Sequence, residues 1–286
     1  MPLTYQNIVD YSGRVKAVTD QAVDELARRV ANIGATEPER RARFIRMHVR
    51  AVAEEYGLQE QELGAQWYEF CAKAAGVNVE TAIVNDIDYE RLDNYFQSIL
   101  EEYENGERDW SETEQRVFSA FESQMRAFER ETIIDNLERD ASESRRWRQT
   151  RRAAMKAGYA RVPVGETCAW CLMLASLGYF YRSEKTALYK DGIEPDRYHE
   201  HCDCIAVPYN EPGAIEGYDD YELYFNMYAD ARDAFYGRDY SDETARRIEE
   251  AREKHDRDYA AGKTDVKWAD TNAILMIMRE QQGMEH

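Results

Sequence analysis

The sequence predicts a mainly α protein in three parts: a long helical N-terminal domain (residues 1–157), a small α+β Cys/His module resembling a zinc knuckle (158–210), and an acidic helical C-terminal extension (211–286). Three observations carry that reading. Apolar residues return every three or four positions over long stretches, as on one face of a helix. There are only six prolines in 286 residues, with 33% of residues charged. The texture then changes after Gly158, where four of the five cysteines fall close together.

Val15, Val18, Ala22, Leu26, Val30 and Ile33 mark the first helix, with Gly34 at its end. Thr36 and Glu39 form a capping-box pattern around Pro38, and the helix they open carries Phe44, Ile45, Val49 and Val52 before Gly57. A third helix is expected through Leu63, Trp67, Phe70, Cys71 and Ala74 to Gly76, with Cys71 as a small buried apolar residue. Tyr89, Leu92, Tyr95, Phe96, Ile99 and Leu100 make the next stripe, ending near Asn105-Gly106. Ser111 and Glu114 form a second capping box, ahead of a long pattern through Val117, Phe121, Met125, Phe128, Ile133 and Leu137.

In the module, Arg161–Val164, Tyr179–Tyr181 and Cys204–Pro208 read as short strands, and Ala169–Leu177 as a short helix closed by Gly178. Tyr218, Tyr221, Tyr224, Phe225, Tyr228, Phe235 and Tyr236 keep helical spacing and read as a packing stripe. The segment around Ile274, Leu275, Ile277 and Met278 is an amphipathic helix fit to dock on the body or a partner.

The net charge of −19 argues against wrapping nucleic acid over the whole surface, because phosphate binding rests on Lys and Arg. Hydrophobic residues at 43%, including 20 tyrosines, disfavour disorder. No run of about 18 apolar residues occurs, and Met1 to Lys16 lack the apolar core of a signal peptide, so the expectation is a chain that neither spans a membrane nor follows a simple secretion signal. The charge reverses locally at Arg145, Arg146, Arg148, Arg151, Arg152 and Lys156. That run reads either as a solvated helix face or as a contact for an acidic partner or nucleic-acid phosphates.

Cys168 and Cys171 form a CxxC pair, and after 27 further residues come His199, His201, Cys202 and Cys204. CxxC sets two thiolates on one side of a tight turn, at two corners of a zinc tetrahedron, and HxxC repeats the spacing. Cys168, Cys171 and Cys202 rank first as ligands, then His199, then Cys204, with His201 last. Six donors for four corners favour a closed, structural site, which would add folding energy on the order of 10 kcal/mol to a module with little core of its own. A metal-free thiol module, a redox CxxC and a zinc deaminase are the alternatives. The deaminase order of HxE before PCxxC is reversed here.

The stretch from Arg161 to Pro208, with its TCxxC element, Gly-aromatic turn, HxxCxC and strand ending in proline, resembles the Mu F-like minor capsid (head morphogenesis) proteins of tailed bacteriophages, particularly the actinobacteriophage type. It covers about a sixth of the chain and carries the motif onto Cys168, Cys171, His199, Cys202 and Cys204, with His201 at a variable position. The resemblance implies a portal-associated virion component at the capsid interior or portal vertex, passing through the host cytoplasm during assembly. Its implied partners are the portal protein and a scaffold or major capsid protein, with packaged DNA a further contact through the basic run.

Neither GxSxG nor HExxH occurs, so a non-enzymatic assembly role with structural zinc is expected. The rival readings are a zinc-dependent hydrolase or deaminase acting on nucleic acid or nucleotides, and a virion-delivered effector or toxin.

Overall fold

Helix α1 runs from Tyr5 to Ala31, α2 from Pro38 to Ala74, α3 from Tyr89 to Glu104 and α4 from Trp110 to Trp147 in a computed structural model. The structure describes residues 2–33, 37–147 (backbone only for 141–147), 158–165, 167–178, 204–262 and 267–284. These fall into two compact units. One holds the described residues from 7 to 147, and the other gathers residues 2–6 with those from 158 onward.

In the first unit the apolar stripes read from the sequence meet in one core. Ala22, Leu26 and Val30 of α1 pack with Ile45, Val49 and Val52 of α2, with Leu92, Phe96 and Leu100 of α3, and with Val117, Phe121, Met125 and Phe128 of α4. Cys71 is fully buried, as a small apolar residue would be. Two aromatic rings extend this packing, with Tyr11 of α1 stacked on Trp67 of α2 at 4.3 Å between centroids. Around the rim, Arg46 reaches Glu104 at 3.1 Å and Arg50 pairs with Asp93, joining α2 to α3. Such exposed pairs add little stability individually.

The second and third helices expected from the sequence are one. α2 continues for 37 residues through Gly57 and Gly64, both of them buried. Gly57 does not end the helix, and both glycines admit a neighbour. A β-carbon on Gly57 would meet Ile87 Cδ1 at 2.8 Å and the Phe128 ring at 3.1 Å, and one on Gly64 would stand 2.4 Å from the Glu129 carbonyl oxygen. Helix α4 therefore approaches α2 more closely than any side chain at 64 would allow.

Neither expected capping box forms as read. Glu37 is the N-cap of α2 and makes no side-chain cap bond, with Pro38 in the first turn, while Thr36 lies outside the described residues. At α4 the cap is Asp109, whose Oδ1 accepts from Glu112 N–H at 2.9 Å, so the helix starts ahead of Ser111. Asp caps as well as Ser does, and the earlier one captures the free N–H groups. α3 ends as expected, at Asn105 with Gly106 left-handed at φ 72°.

A polar seam runs through the same unit. Thr19 of α1 donates to Glu60 Oε1 of α2 at 2.6 Å, and Tyr11 donates to Glu129 Oε1 of α4 at 2.6 Å. Glu60 and Glu129 are fully buried, and the second oxygen of each carboxyl has no hydrogen-bond partner. Burial, then the charge of Glu129 against the hydrogen bond from Thr19, pushes Glu60 up to about 8. Burial pushes Glu129 up to about 7 against the pull of Arg130, of the Tyr11 hydrogen bond and of Arg126. Further along, Tyr68 donates to Asp140 at 2.6 Å.

The second unit is built on a two-stranded antiparallel sheet of β1 (Tyr159–Val162) and β2 (Ile205–Pro208), with Tyr159 opposite Pro208 and Val162 opposite Ile205. Both strands are buried along their length. β1 begins two residues before the expected Arg161 start and stops at Val162, because Pro163 has no N–H to extend the ladder. The expected strand at Tyr179–Tyr181 lies outside the described residues. Among the described residues four α-helices accompany the sheet: α5 (Ala169–Ser176), α6 (Asp220–Gly237), α7 (Asp242–Ala260) and α8 (Asp270–Gln282). α5 packs against β1, α6 and α8. α8 docks through Ile274, Leu275, Ile277 and Met278, the residues expected to do so.

The tyrosine-rich stripe departs from expectation. Tyr218 is buried just before α6, but within α6 Ala231 alone is buried, and Leu223, Phe225 and Tyr236 stand more than half exposed. Seven aromatic residues spread over 19 positions cannot all share the one face that α5 and α8 cover.

The module and the C-terminal extension, read from the sequence as separate parts, thus share one unit. It also includes residues from the very start of the chain. Leu3 is buried at 2% exposure, Thr4 bridges Glu216, Tyr5 N–H donates to the Glu216 carbonyl at 2.8 Å, and Glu216 N–H donates to the Leu3 carbonyl at 3.0 Å. The Tyr5 ring stacks on Tyr218 at 5.6 Å, and its hydroxyl donates to the Pro163 carbonyl at 3.3 Å.

Candidate metal centre

Gly165, at φ 87°, turns the chain after β1, and Thr167 Oγ1 donates back to the Gly165 carbonyl at 3.2 Å. Cys168 follows as the N-cap of α5, in extended conformation, and its Sγ accepts from Cys171 N–H at 3.5 Å. This is the geometry the CxxC spacing calls for, since both sulfurs belong to the first turn of one helix. The helix N-terminus, where backbone N–H groups are unsatisfied, also favours negative charge on a sulfur. Cys171 is buried and Cys168 half-buried. Gly178, at φ 64°, closes α5 against the Tyr221 hydroxyl, which a β-carbon would approach at 2.8 Å.

Cys204 is the last residue before β2 and is 1% exposed. It lies within electrostatic reach of two tyrosines. Burial first, then neighbouring charges including that of Cys204, raises the Tyr218 phenol far above its ordinary range and pushes Tyr224 up to about 12. The Tyr218 hydroxyl is buried without a hydrogen-bond partner, whereas Tyr224 Oη contacts Asp220 Oδ2 at 3.5 Å. At the far end of β2, Tyr209 takes a left-handed conformation at φ 61° and its N–H donates to the Gly158 carbonyl at 2.9 Å, fixing where the sheet ends.

Of the five residues named as ligands, Cys168, Cys171 and Cys204 are thus placed in one unit, and the first two in one helical turn. His199 and Cys202 lie outside the described residues, as does His201. Among the described residues no group of three or more His, Cys, Asp or Glu side chains is gathered as a metal ion would require. Arg145 and Arg146 fall on the last turns of α4, and Arg148, Arg151, Arg152 and Lys156 lie outside the described residues. No described helix is long and apolar enough to cross a membrane.

A family model described as VG15 protein matches residues 3–231, about four-fifths of the chain. The chain belongs to the VG15 family. It is a family of viral, phage-encoded genes, and the match runs from Leu3, ahead of α1, through the helical unit and the cysteine module, into α6. α7 and α8 lie beyond the VG15 match. No curated protein and no solved structure matches the chain.

The residues that sequence reasoning missed are Leu3, Thr4 and Tyr5, and with them their partners Glu216 and Tyr218. Their pairing joins positions more than 200 apart in the chain, and no local pattern encodes it. The one available signal was Leu3, an apolar residue ahead of the first helical stripe.

Proposed function

We propose that this VG15 protein is a minor capsid protein of a tailed bacteriophage or prophage, acting in head morphogenesis at the portal, with a structural zinc module and no catalytic activity. The observation that supports this most is the span of the phage-family match, which covers the helical unit and the Cys168–Cys171 turn together. The Mu F-like motif from Arg161 to Pro208 supplies the finer reading. Cys168, Cys171 and Cys202 would hold the metal with His199 or Cys204, and a zinc ion bound there would cross-link the CxxC turn to the segment leading into β2. Two of these sulfurs share one helical turn and Cys204 lies in the same unit, which supports the reading.

The acidic surface suits packing in a crowded shell without condensing onto the genome. The run from Arg145 to Lys156 is the proposed contact for the portal, a scaffold or major capsid protein, or packaged DNA.

The test is to follow an epitope-tagged chain through infection or prophage induction. Co-sedimentation with procapsids and mature heads at low copy number, and empty or aberrant heads when the gene is deleted, are expected. Normal heads from a deletion strain overturn the assembly role. Zinc is measured on the same protein purified without chelator, with about one ion per chain expected; a coordination position open beside Glu166 or Glu200 would instead favour the hydrolase reading.

A further inference from the structure

We propose that α6 is a self-association surface, pairing antiparallel with α6 of a second copy of this chain about a two-fold axis at Ala229. Every residue the proposal uses lies on α6, so it does not rest on the zinc reading.

Glu222, Phe225, Ala229, Arg232 and Tyr236 follow one another at intervals of three, four, three and four residues. That spacing keeps them on one stripe along the helix, as at the seam of a coiled coil. The stripe faces solvent. Phe225 is 53% exposed, Tyr236 67% and the Arg232 side chain 47%, whereas Ala231, the buried residue of α6, lies on the side away from it. Two rings more than half exposed on one stripe mark a contact surface. The neighbouring helix α7 shows what a solvated face of this unit looks like, with ion pairs at i,i+4 between Arg246 and Glu250, Arg252 and Asp256, and Glu253 and Arg257.

The stripe is also its own complement. Glu222 and Tyr236 stand seven residues either side of Ala229, and Phe225 and Arg232 stand four before and three after it. In a two-fold contact residue i meets j and j meets i. A second α6 turned end for end about Ala229 therefore sets Phe225 against the partner's Arg232, and Glu222 against the partner's Tyr236, each pair twice. A guanidinium stacks on an aromatic face. Arg232 suits that role, because Nε and Nη2 on one edge are tied to Asp233 Oδ1 at 3.1 and 2.9 Å and the planar faces stay available. The Tyr236 hydroxyl can donate to the carboxylate of Glu222. At the axis Ala229 has no bulk to hold the two helices apart. α6 has 18 residues and is about 27 Å long, so one face of it makes an interface at the small end, below about 1,200 Å² in total, and the dimer depends on concentration.

Sedimentation equilibrium of the full chain across a concentration series tests the proposal, and a monomer–dimer equilibrium is expected. Ala229→Lys keeps a good helix former and sets two like charges face to face at the axis; it should weaken association at least about 10-fold. Phe225→Gln, at an exposed position that spares the fold, should do the same. Leu223→Gln removes a residue as exposed as Phe225 but off the stripe, and should change the constant less than about 2-fold. Disulfide trapping reads the geometry: Ala229→Cys should yield a covalent dimer under oxidised glutathione, because β-carbons facing each other at a two-fold axis come within disulfide reach, and Leu223→Cys should not.

A chain that stays monomeric throughout the series overturns the proposal, whether hydroxyl-radical labelling finds the stripe open or covered by another segment or another protein. A dimer that survives both Ala229→Lys and Phe225→Gln overturns it too, since its contact then lies elsewhere.

Discussion

Gly64 of α2 lies directly under the backbone of Glu129 of α4, so that a β-carbon at 64 would stand 2.4 Å from the Glu129 carbonyl oxygen. Glycine in a helix interior ordinarily costs about 1 kcal/mol relative to alanine, so alanine at an unconstrained position would stabilise. Here the obstacle is backbone rather than the tip of a flexible side chain, and the two helices would have to separate. Gly64→Ala should destabilise the helical unit by about 2–3 kcal/mol, the range of overpacked cores. Gly57→Ala should stay within about 1 kcal/mol of wild type, since Ile87 Cδ1 can move aside. Urea unfolding with an unchanged slope checks both; equal effects at the two positions would contradict the contact.

The seam beneath that contact predicts a pH dependence. Unfolded, Glu60 and Glu129 ionise near the ordinary 4.5; folded, burial before all else holds them at about 8 and about 7. Between pH 4.5 and 8 the native state therefore binds more protons than the unfolded one. Stability falls as pH rises through that window, by at most about 1.4 kcal/mol per pH unit for each proton, and levels off above it. Arg126 and Arg130 face both carboxyls, and Tyr11 and Cys71 also neighbour the seam, so the change is shared. Glu60→Gln keeps an oxygen to accept from Thr19 and cannot ionise. Its melting temperature should exceed wild type at pH 8.5 and match it at pH 5, and a wild-type melting temperature flat across that interval would refute the account.

The helical half was largely legible because its information is local. Stripes at Leu92, Phe96 and Leu100, or at Val117, Phe121 and Met125, are visible one turn at a time and needed only to meet. The errors came where a residue's meaning depends on a distant neighbour. Gly57 looks like a stop in one dimension and is a close-approach point in three. Ser111 looks like a cap until Asp109 is seen to reach Glu112 first. At the candidate site the CxxC spacing was enough to place Cys168 and Cys171 on one turn. The pairing of Leu3–Tyr5 with Glu216 and Tyr218 was not legible, because a lone strand residue and a stacked ring carry no periodicity.

That pairing yields a prediction for the second unit. Tyr5 contributes a stack on Tyr218 and a hydrogen bond to the Pro163 carbonyl, in addition to the backbone bridge at Glu216. Tyr5→Ala should lower stability by about 1–2 kcal/mol, on the scale of a lost aromatic pair and one hydrogen bond. Hydrogen exchange should localise the loss, with the Glu216 amide and the β1–β2 ladder losing protection while the α2–α4 core keeps it. A loss spread evenly over both units would show that Tyr5 acts as part of α1 alone.

The cysteines allow a last separation of packing from metal binding. Cys71 is fully buried in the helical unit, and burial raises its thiol well above its ordinary value, so it is an inert packing group. Cys71→Ser should cost about 1–3 kcal/mol by placing a hydroxyl in an apolar site, with zinc content unchanged. On the proposed zinc reading, Cys171→Ser, at an equally buried position in the other unit, should abolish stoichiometric zinc and leave the helical core folded, since a proposed ligand and not the volume is lost. Added chelator should then lower the melting temperature of wild type and Cys71→Ser but not of Cys171→Ser. An equal fall in all three proteins would assign the stabilising metal to a different place in the chain, and no fall in any of them would overturn the zinc reading.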